Sequence, residues 1–136
     1  MKIIVCLDDN GGMMFNKRRQ SRDRAVIADI LKMSAGKRLF ISPFSEKLFA
    51  ESGGEYSVCD SMLVEAAEGE LCFVEDKALS ALSHRIEEII IYRWNRKYPA
   101  DKFFDIDLES CGFGSVSVEE FEGYSHEKIT KEIFTK

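Results

Sequence analysis

"EEIIIYRWNRKY", Glu87 to Tyr98, is the stretch on which the fold turns. Ile89, Ile90 and Ile91 in succession suit a strand buried on both faces, and Tyr92 and Trp94 continue one apolar face opposite Arg93 and Asn95. The other apolar runs are short and bounded by turn residues. Ile3 to Leu7 is closed by Asp8, Asp9, Asn10, Gly11 and Gly12; Leu39 to Ile41 runs into Ser42 and Pro43; "ELCFVED", Glu70 to Asp76, is a third buried strand.

Helical segments alternate with these strands. Ser21 offers an N-cap with Asp23 in the first turn, Val26, Ile27, Ile30, Leu31 and Met33 form an apolar stripe, and Gly36 ends it. A short helix follows Pro43 to about Ala50, a brief strand spans Tyr56 to Val58, and helical turns fall near Met62 to Ala67 and Ala78 to Leu82. Alternation of this kind favours parallel pairing with helices on both faces. The tail changes character: Val116 and Val118 lie in one β-like segment, Ile129 and Ile133 in another, with Gly123 between, as in an antiparallel pair that closes a sheet. The expectation is a single three-layer α/β domain over residues 1–136, its sheet mixed and mainly parallel.

Charge sets limits on function. The chain carries 19 Lys and Arg against 24 Asp and Glu, net −5, which argues against a generic nucleic-acid binder. Five cations (Lys17, Arg18, Arg19, Arg22, Arg24) surround one acid, Asp23, in a loop that follows Gly11, Gly12, Met13, Met14 and Phe15. The planar fork of arginine suits phosphate or carboxylate, so this loop is the candidate grip for a small anion or nucleotide; a solvated hairpin is the plain alternative. Met13, Met14 and Phe15 suit a flexible apolar wall, or else core beneath the loop. Tyr92, Trp94, Tyr98, Phe103 and Phe104 suit packing, or stacking on a heterocycle.

Cys6, Cys59, Cys72 and Cys111 include no CxxC pair, and two of them fall in buried strands, as free thiols in a reduced compartment do. The amino terminus has too short an apolar run for a signal peptide or a membrane span, so a cytoplasmic location is expected. Only His84 and His126 are present, without an HxH or HxxxH companion. A ribonuclease Z-type zinc hydrolase therefore lacks its metal motif, and both histidines read as surface residues. No GxSxG, Walker loop or HExxH occurs. No metal site is expected.

The order of pieces resembles dihydrofolate reductase. The likeness lies in a first strand ending in Asp and Asn, a Gly-and-Met loop, a helix with an early acid, a buried strand running into Ser42, Phe44 and Ser45, and the stretch "IEEIIIYRWNRKYPADKFFDIDL", Ile86 to Leu108, with Asp101, Phe103, Phe104 and Asp107. "VSVEEF" and "KITKEIF" look like that family's two final strands. The resemblance implies a pterin-holding role for Asp23 and a substrate cleft near the cationic loop. It also implies a Gly-Gly pair after the third strand for cofactor pyrophosphate; here Glu75 and Asp76 stand there, and like charge opposes a dianion. The family's Gly-Arg-x-Thr turn is replaced by Ser42, Pro43, Phe44 and Ser45, and its Pro-Trp pair by Arg19 and Gln20.

The reading that follows is a binder of a small anionic molecule or nucleotide, without cofactor or NADPH-dependent reductase activity and leaning away from an enzyme. Its candidate contacts are Met13, Met14, Phe15, Arg18, Arg19 and Asp23. The alternative is a structural protein that self-associates through exposed sheet; residual reductase chemistry is a weaker one.

Overall fold

The computed structural model describes residues 1–136. In chain order its elements are β1 (Lys2–Leu7), β2 (Gly12–Phe15), β3 (Arg18–Arg19), α1 (Arg24–Met33), β4 (Leu39–Ile41), a 3₁₀ turn (Pro43–Ser45), α2 (Glu46–Ala50), β5 (Ser57–Val58), α3 (Met62–Glu65), β6 (Leu71–Phe73), a second 3₁₀ turn (Ser80–Arg85), β7 (Glu88–Arg93), β8 (Lys102–Phe103), β9 (Gly114–Phe121) and β10 (Ile129–Thr135). Seven strands form one sheet in the order β5-β4-β6-β1-β7-β10-β9.

The isoleucine-rich stretch lies in the interior of this sheet, as its sequence demands. Strand β7 runs parallel to β1, with Ile3 opposite Ile89 and Val5 opposite Ile91, and antiparallel to β10 on its other side. Pairing of β1, β6, β4 and β5 is parallel, and only the β7-β10-β9 end is antiparallel. One face packs Ile3, Val5, Ile89 and Ile91 beneath Met62, Leu63 and Leu79. The other packs Ile4, Ile90 and Tyr92 beneath Val26, Ile27 and Ile30 of α1 and Leu48 and Phe49 of α2. Successive side chains point to opposite faces, so an unbroken apolar run feeds both layers. The sheet is thus mixed, mainly parallel, and covered on both faces, with a closing antiparallel pair. Helix α1, at ten residues, is the longest of the three, and none is long and apolar enough to cross a membrane.

Three expectations about local structure need correction. The cationic loop is a small sheet of its own, in which β2 pairs with β3 and with β8. Asn16 and Lys17 both take positive φ, 51° and 61°, in the two-residue turn that joins β2 to β3; a hairpin twist requires such geometry there. Second, Asp23 rather than Ser21 caps α1: Asp23 is extended (φ −152°, ψ 128°) and its carboxylate accepts from the Ala25 amide. At the far end Ser34 is the cap, and Gly36 (φ 80°) belongs to the turn beyond it. Third, the third buried strand is shorter than its apolar run, covering Leu71–Phe73, because Val74 onward turns into the cleft.

Candidate functional site

The carboxyl ends of parallel strands are where open α/β sheets hold ligands, and here β1 and β4 lead directly into Asp8 and Ser42, while Glu75 stands two residues past β6. Asp8 is buried, and its Oδ1 accepts from the amides of Gly12 (2.7 Å) and Asn10 (2.9 Å), which fixes the turn into β2. Its Oδ2 accepts from Tyr98 N at 3.1 Å, tying that turn to the segment after β7. Gly12 has no room for a side chain: a Cβ would lie 2.6 Å from both Ala100 Cβ and Gln20 Nε2.

Glu75 does not stand as an open negative charge. Arg19 donates through Nε to Oε2 (2.5 Å) and through its terminal nitrogen to Oε1 (2.7 Å), and Ser45 Oγ donates to Oε1 at 2.7 Å. The guanidinium also lies 5.2 Å from the centre of the Phe44 ring. A bidentate Arg–carboxylate pair is geometrically demanding, and with Glu75 only 8% exposed it spans the cleft as a bar between the β2-β3 hairpin and the end of β6. Behind this bar a cavity of about 20 Å³, room for a single water, is bounded by Cys6, Met13, Arg19, Ser21, Arg22 and Asp23 among others. Burial pushes the Cys6 thiol well above its ordinary range, and the Glu75 charge adds to this while Arg19 opposes it.

In front of the bar lies an open basin of about 630 Å³ lined by Met14, Lys17, Phe44, Asp76, Asp101 and Lys102. Asp76 Oδ1 is buried there without a hydrogen-bond partner. Asp101 accepts from the Asn16 amide through Oδ2 at 3.0 Å, which holds the hairpin turn over the basin.

Asp23 is the most heavily bonded acid in the chain. Its Oδ1 accepts from the amides of Ala25 and Tyr124, both at 2.8 Å. Its Oδ2 accepts from the amides of Ser125 (2.8 Å) and His126 (3.1 Å) and lies 2.9 Å from His126 Nδ1. Burial alone would raise its pKa, but the His126 hydrogen bond and the three amides of Tyr124, Ser125 and Ala25 outweigh it and hold the carboxyl below its ordinary range. The helix cap thus clasps the loop between β9 and β10.

His126 is not a surface residue: it is 4% exposed, because Asp23 turns it inward against Trp94, whose ring stacks on it at 4.6 Å and 20°. Its Nε2 meets Ser21 Oγ at 2.9 Å and Tyr98 OH at 3.0 Å. Sequence reasoning missed this residue because its partners lie up to 105 positions away; only the isolation of a histidine in a polar turn hinted at it. His84 is exposed.

The candidate contacts divide among three places. Met13, Arg19 and Asp23 line the inner cavity, Met14 lines the basin, and Phe15 and Arg18 face each other across the hairpin, both exposed. Met13 and Met14 also belong to the core. Of the other cations, Arg24 lies 4.9 Å from the Tyr124 ring centre, and Arg22 borders both the inner cavity and a groove of about 380 Å³ between α1 and α2. Among the aromatics, Tyr92 and Trp94 are buried while Phe103 is exposed.

Among solved structures the chain is similar to dihydrofolate reductase from Enterococcus faecalis complexed with NADP(H) and RAB-propyl, with a TM-score of 0.69 at 11% identity, covering 98% of this chain and 94% of that one. No family model matches the sequence, and no curated protein does. The chain therefore has a dihydrofolate reductase-like fold, and at this identity the likeness is one of fold.

Proposed function

We propose that this reductase-like fold serves as a binding protein for a small anionic molecule, a nucleotide foremost, and has lost NADPH-dependent hydride transfer. The observation that carries the reading is the basin beside the hairpin: Lys17 and Lys102 supply cations, and Met14 and Phe44 supply an apolar wall. A molecule bearing both a phosphate and an apolar ring answers both features, and a nucleotide has both. The volume, about 630 Å³, is within the range of small-molecule sites. Met14 lines the proposed site, Phe15 and Arg18 stand exposed on the hairpin beside it, and Arg19 is the bar toward the inner cavity.

Loss of the reductase reaction is supported by the same corner. A side chain, not bare backbone, follows β6, and Glu75 is already committed to Arg19 and Ser45. A dinucleotide pyrophosphate laid at the end of β6 would meet a closed ion pair in place of free amides.

Thermal-shift titration tests this directly. Nucleoside phosphates at millimolar concentration are expected to raise Tm, and the double variant Lys17→Ala, Lys102→Ala to remove the rise. Turnover of NADPH with dihydrofolate above background would overturn the loss of reductase activity, and silence with every nucleotide would overturn the binder.

A second reading rests on β9. All but its last residue are exposed, Val116 and Val118 each at 61%, on a strand whose outer edge has no partner. Such an edge templates pairing with a second copy. Light scattering across a concentration series checks it: a dimer that Val116→Lys converts to monomer supports self-association, and a monomer throughout removes it.

A further inference from the structure

Ser21, His126 and Asp23 come from the approach to α1 and the β9-β10 loop, yet they form one line of hydrogen bonds. Ser21 Oγ lies 2.9 Å from His126 Nε2, and His126 Nδ1 lies 2.9 Å from Asp23 Oδ2. The carboxylate is fixed by amides of Ala25, Tyr124, Ser125 and His126, so it accepts and Nδ1 donates. That tautomer leaves the Nε2 lone pair facing the Ser21 hydroxyl at 2.9 Å, with the Tyr98 hydroxyl 3.0 Å from the same nitrogen. Stacking on Trp94 stops the ring from turning. These are the roles of nucleophile, general base and orienting acid, which are recognised by geometry and not by sequence order. The helix cap and loop clasp need only the carboxylate and the amides; the alignment of Ser21 with Nε2 is additional.

We propose that Ser21, with His126 as base and Asp23 as its orienting partner, is a nucleophile for short-chain carboxylic esters. Ser21 Oγ bonds to the ester carbonyl carbon while its proton passes to His126 Nε2. The bond to the alcohol oxygen then breaks, and that oxygen takes the proton from His126. Water adds to the acyl-serine in the same way, releasing the acid and restoring Ser21. Ser21 and Arg22 border the water-sized inner cavity, and Arg22 also borders the groove of about 380 Å³ between α1 and α2, which Arg24 lines too. A cavity with room for a single water excludes any long acyl chain beside Ser21, and the groove, which Glu51 also lines, offers its two arginines to an anionic alcohol portion. This activity goes beyond the basin and does not depend on a nucleotide binding there.

The test uses the full chain, a fluorophosphonate probe and p-nitrophenyl acetate. The probe is expected to phosphonylate Ser21, mapped by peptide mass spectrometry, and the ester to give a burst of about one nitrophenolate per chain. Ser21→Ala, which removes one hydroxyl from a half-buried site, should abolish both. His126→Gln should slow both by about 10²-fold or more. Because His126 is buried and its replacement can unfold the chain, the wild-type label and the Ser21→Ala variant decide the matter. An unlabelled Ser21 in the wild-type chain, or nitrophenolate release that Ser21→Ala leaves unchanged, overturns the proposal.

Discussion

Arg19 holds both oxygens of Glu75, at 2.5 and 2.7 Å, and so closes the cleft in the place where the sequence alone suggests bare negative charge. Its neighbour Arg18 belongs to the same two-residue strand but is exposed. Removing Arg19 leaves a buried carboxylate with Ser45 as its remaining side-chain partner, and uncompensated buried charge costs about 3–5 kcal/mol. Removing Arg18 costs under about 0.5 kcal/mol, as exposed sites do. Urea unfolding of Arg19→Ala and Arg18→Ala should show that gap. Equal midpoints would mean that the bar does not form in solution.

Asp23 gives the chain an acid limit. Its folded-state pKa lies below the unfolded value of about 4, so the unfolded chain binds more protons as pH falls. The stability it contributes is therefore complete above about pH 4 and is lost as pH falls through the folded pKa. Glu87, held low by the amino-terminal ammonium, and Asp105, held low by the amides of Leu79 and Ser80 against the opposing effect of burial, titrate in the same sense. Asp23→Asn turns an acceptor into a donor among five donors and should cost about 3 kcal/mol at neutral pH. It should also flatten the acid limb, measured as Tm between pH 6 and pH 3.

How much of this was legible in the sequence follows from what each feature depends on. The strands around Ile3, Leu39, Cys72 and Ile90 announce themselves because burial on both faces needs unbroken apolar residues, and the Ile89–Tyr92 run marks the interior of the sheet. The closing β9-β10 pair was legible from its valines and isoleucines. The site was not. Arg19 reads as a free cation until Glu75, 56 positions on, is brought against it. Ser21 reads as a cap until Asp23, extended and bonded to Ala25, takes that role and frees the serine for His126. Long-range polar pairing carries no local periodicity, so composition and spacing are silent about it.

The four thiols should react in two classes. Burial pushes Cys72 up to about 12 and Cys6 well above the ordinary range, so neither supplies thiolate at pH 8. Cys6, Cys59 and Cys111 are all half-buried, but Cys6 faces the closed cleft behind the Arg19–Glu75 bar, whereas Cys59 and Cys111 lie at the margin of the core. Ellman's reagent should titrate two thiols in the folded chain and all four in denaturant. Modification of Cys6 at the rate of Cys59 would show that the cleft opens often, and would argue against a persistent Arg19–Glu75 bar.

Gly114, which opens β9, and Gly123, just past its end, separate two effects of the same substitution. A Cβ on Gly114 meets nothing within 4 Å, so Gly114→Ala should be neutral or stabilise by about 0.4–1 kcal/mol through the unfolded state. A Cβ on Gly123 would lie 2.6 Å from the His126 carbonyl oxygen and 2.7 Å from Asp23 Oδ2. The first is backbone and the second is fixed by three donors, so neither yields cheaply. Gly123→Ala should therefore destabilise by about 1–3 kcal/mol. It should also shift the emission of Trp94, the sole tryptophan, because the loop carries the imidazole stacked on it. Unchanged stability together with unchanged emission would mean that the loop is not clasped to Asp23 in solution, and the alignment of Ser21 with His126 would go with it.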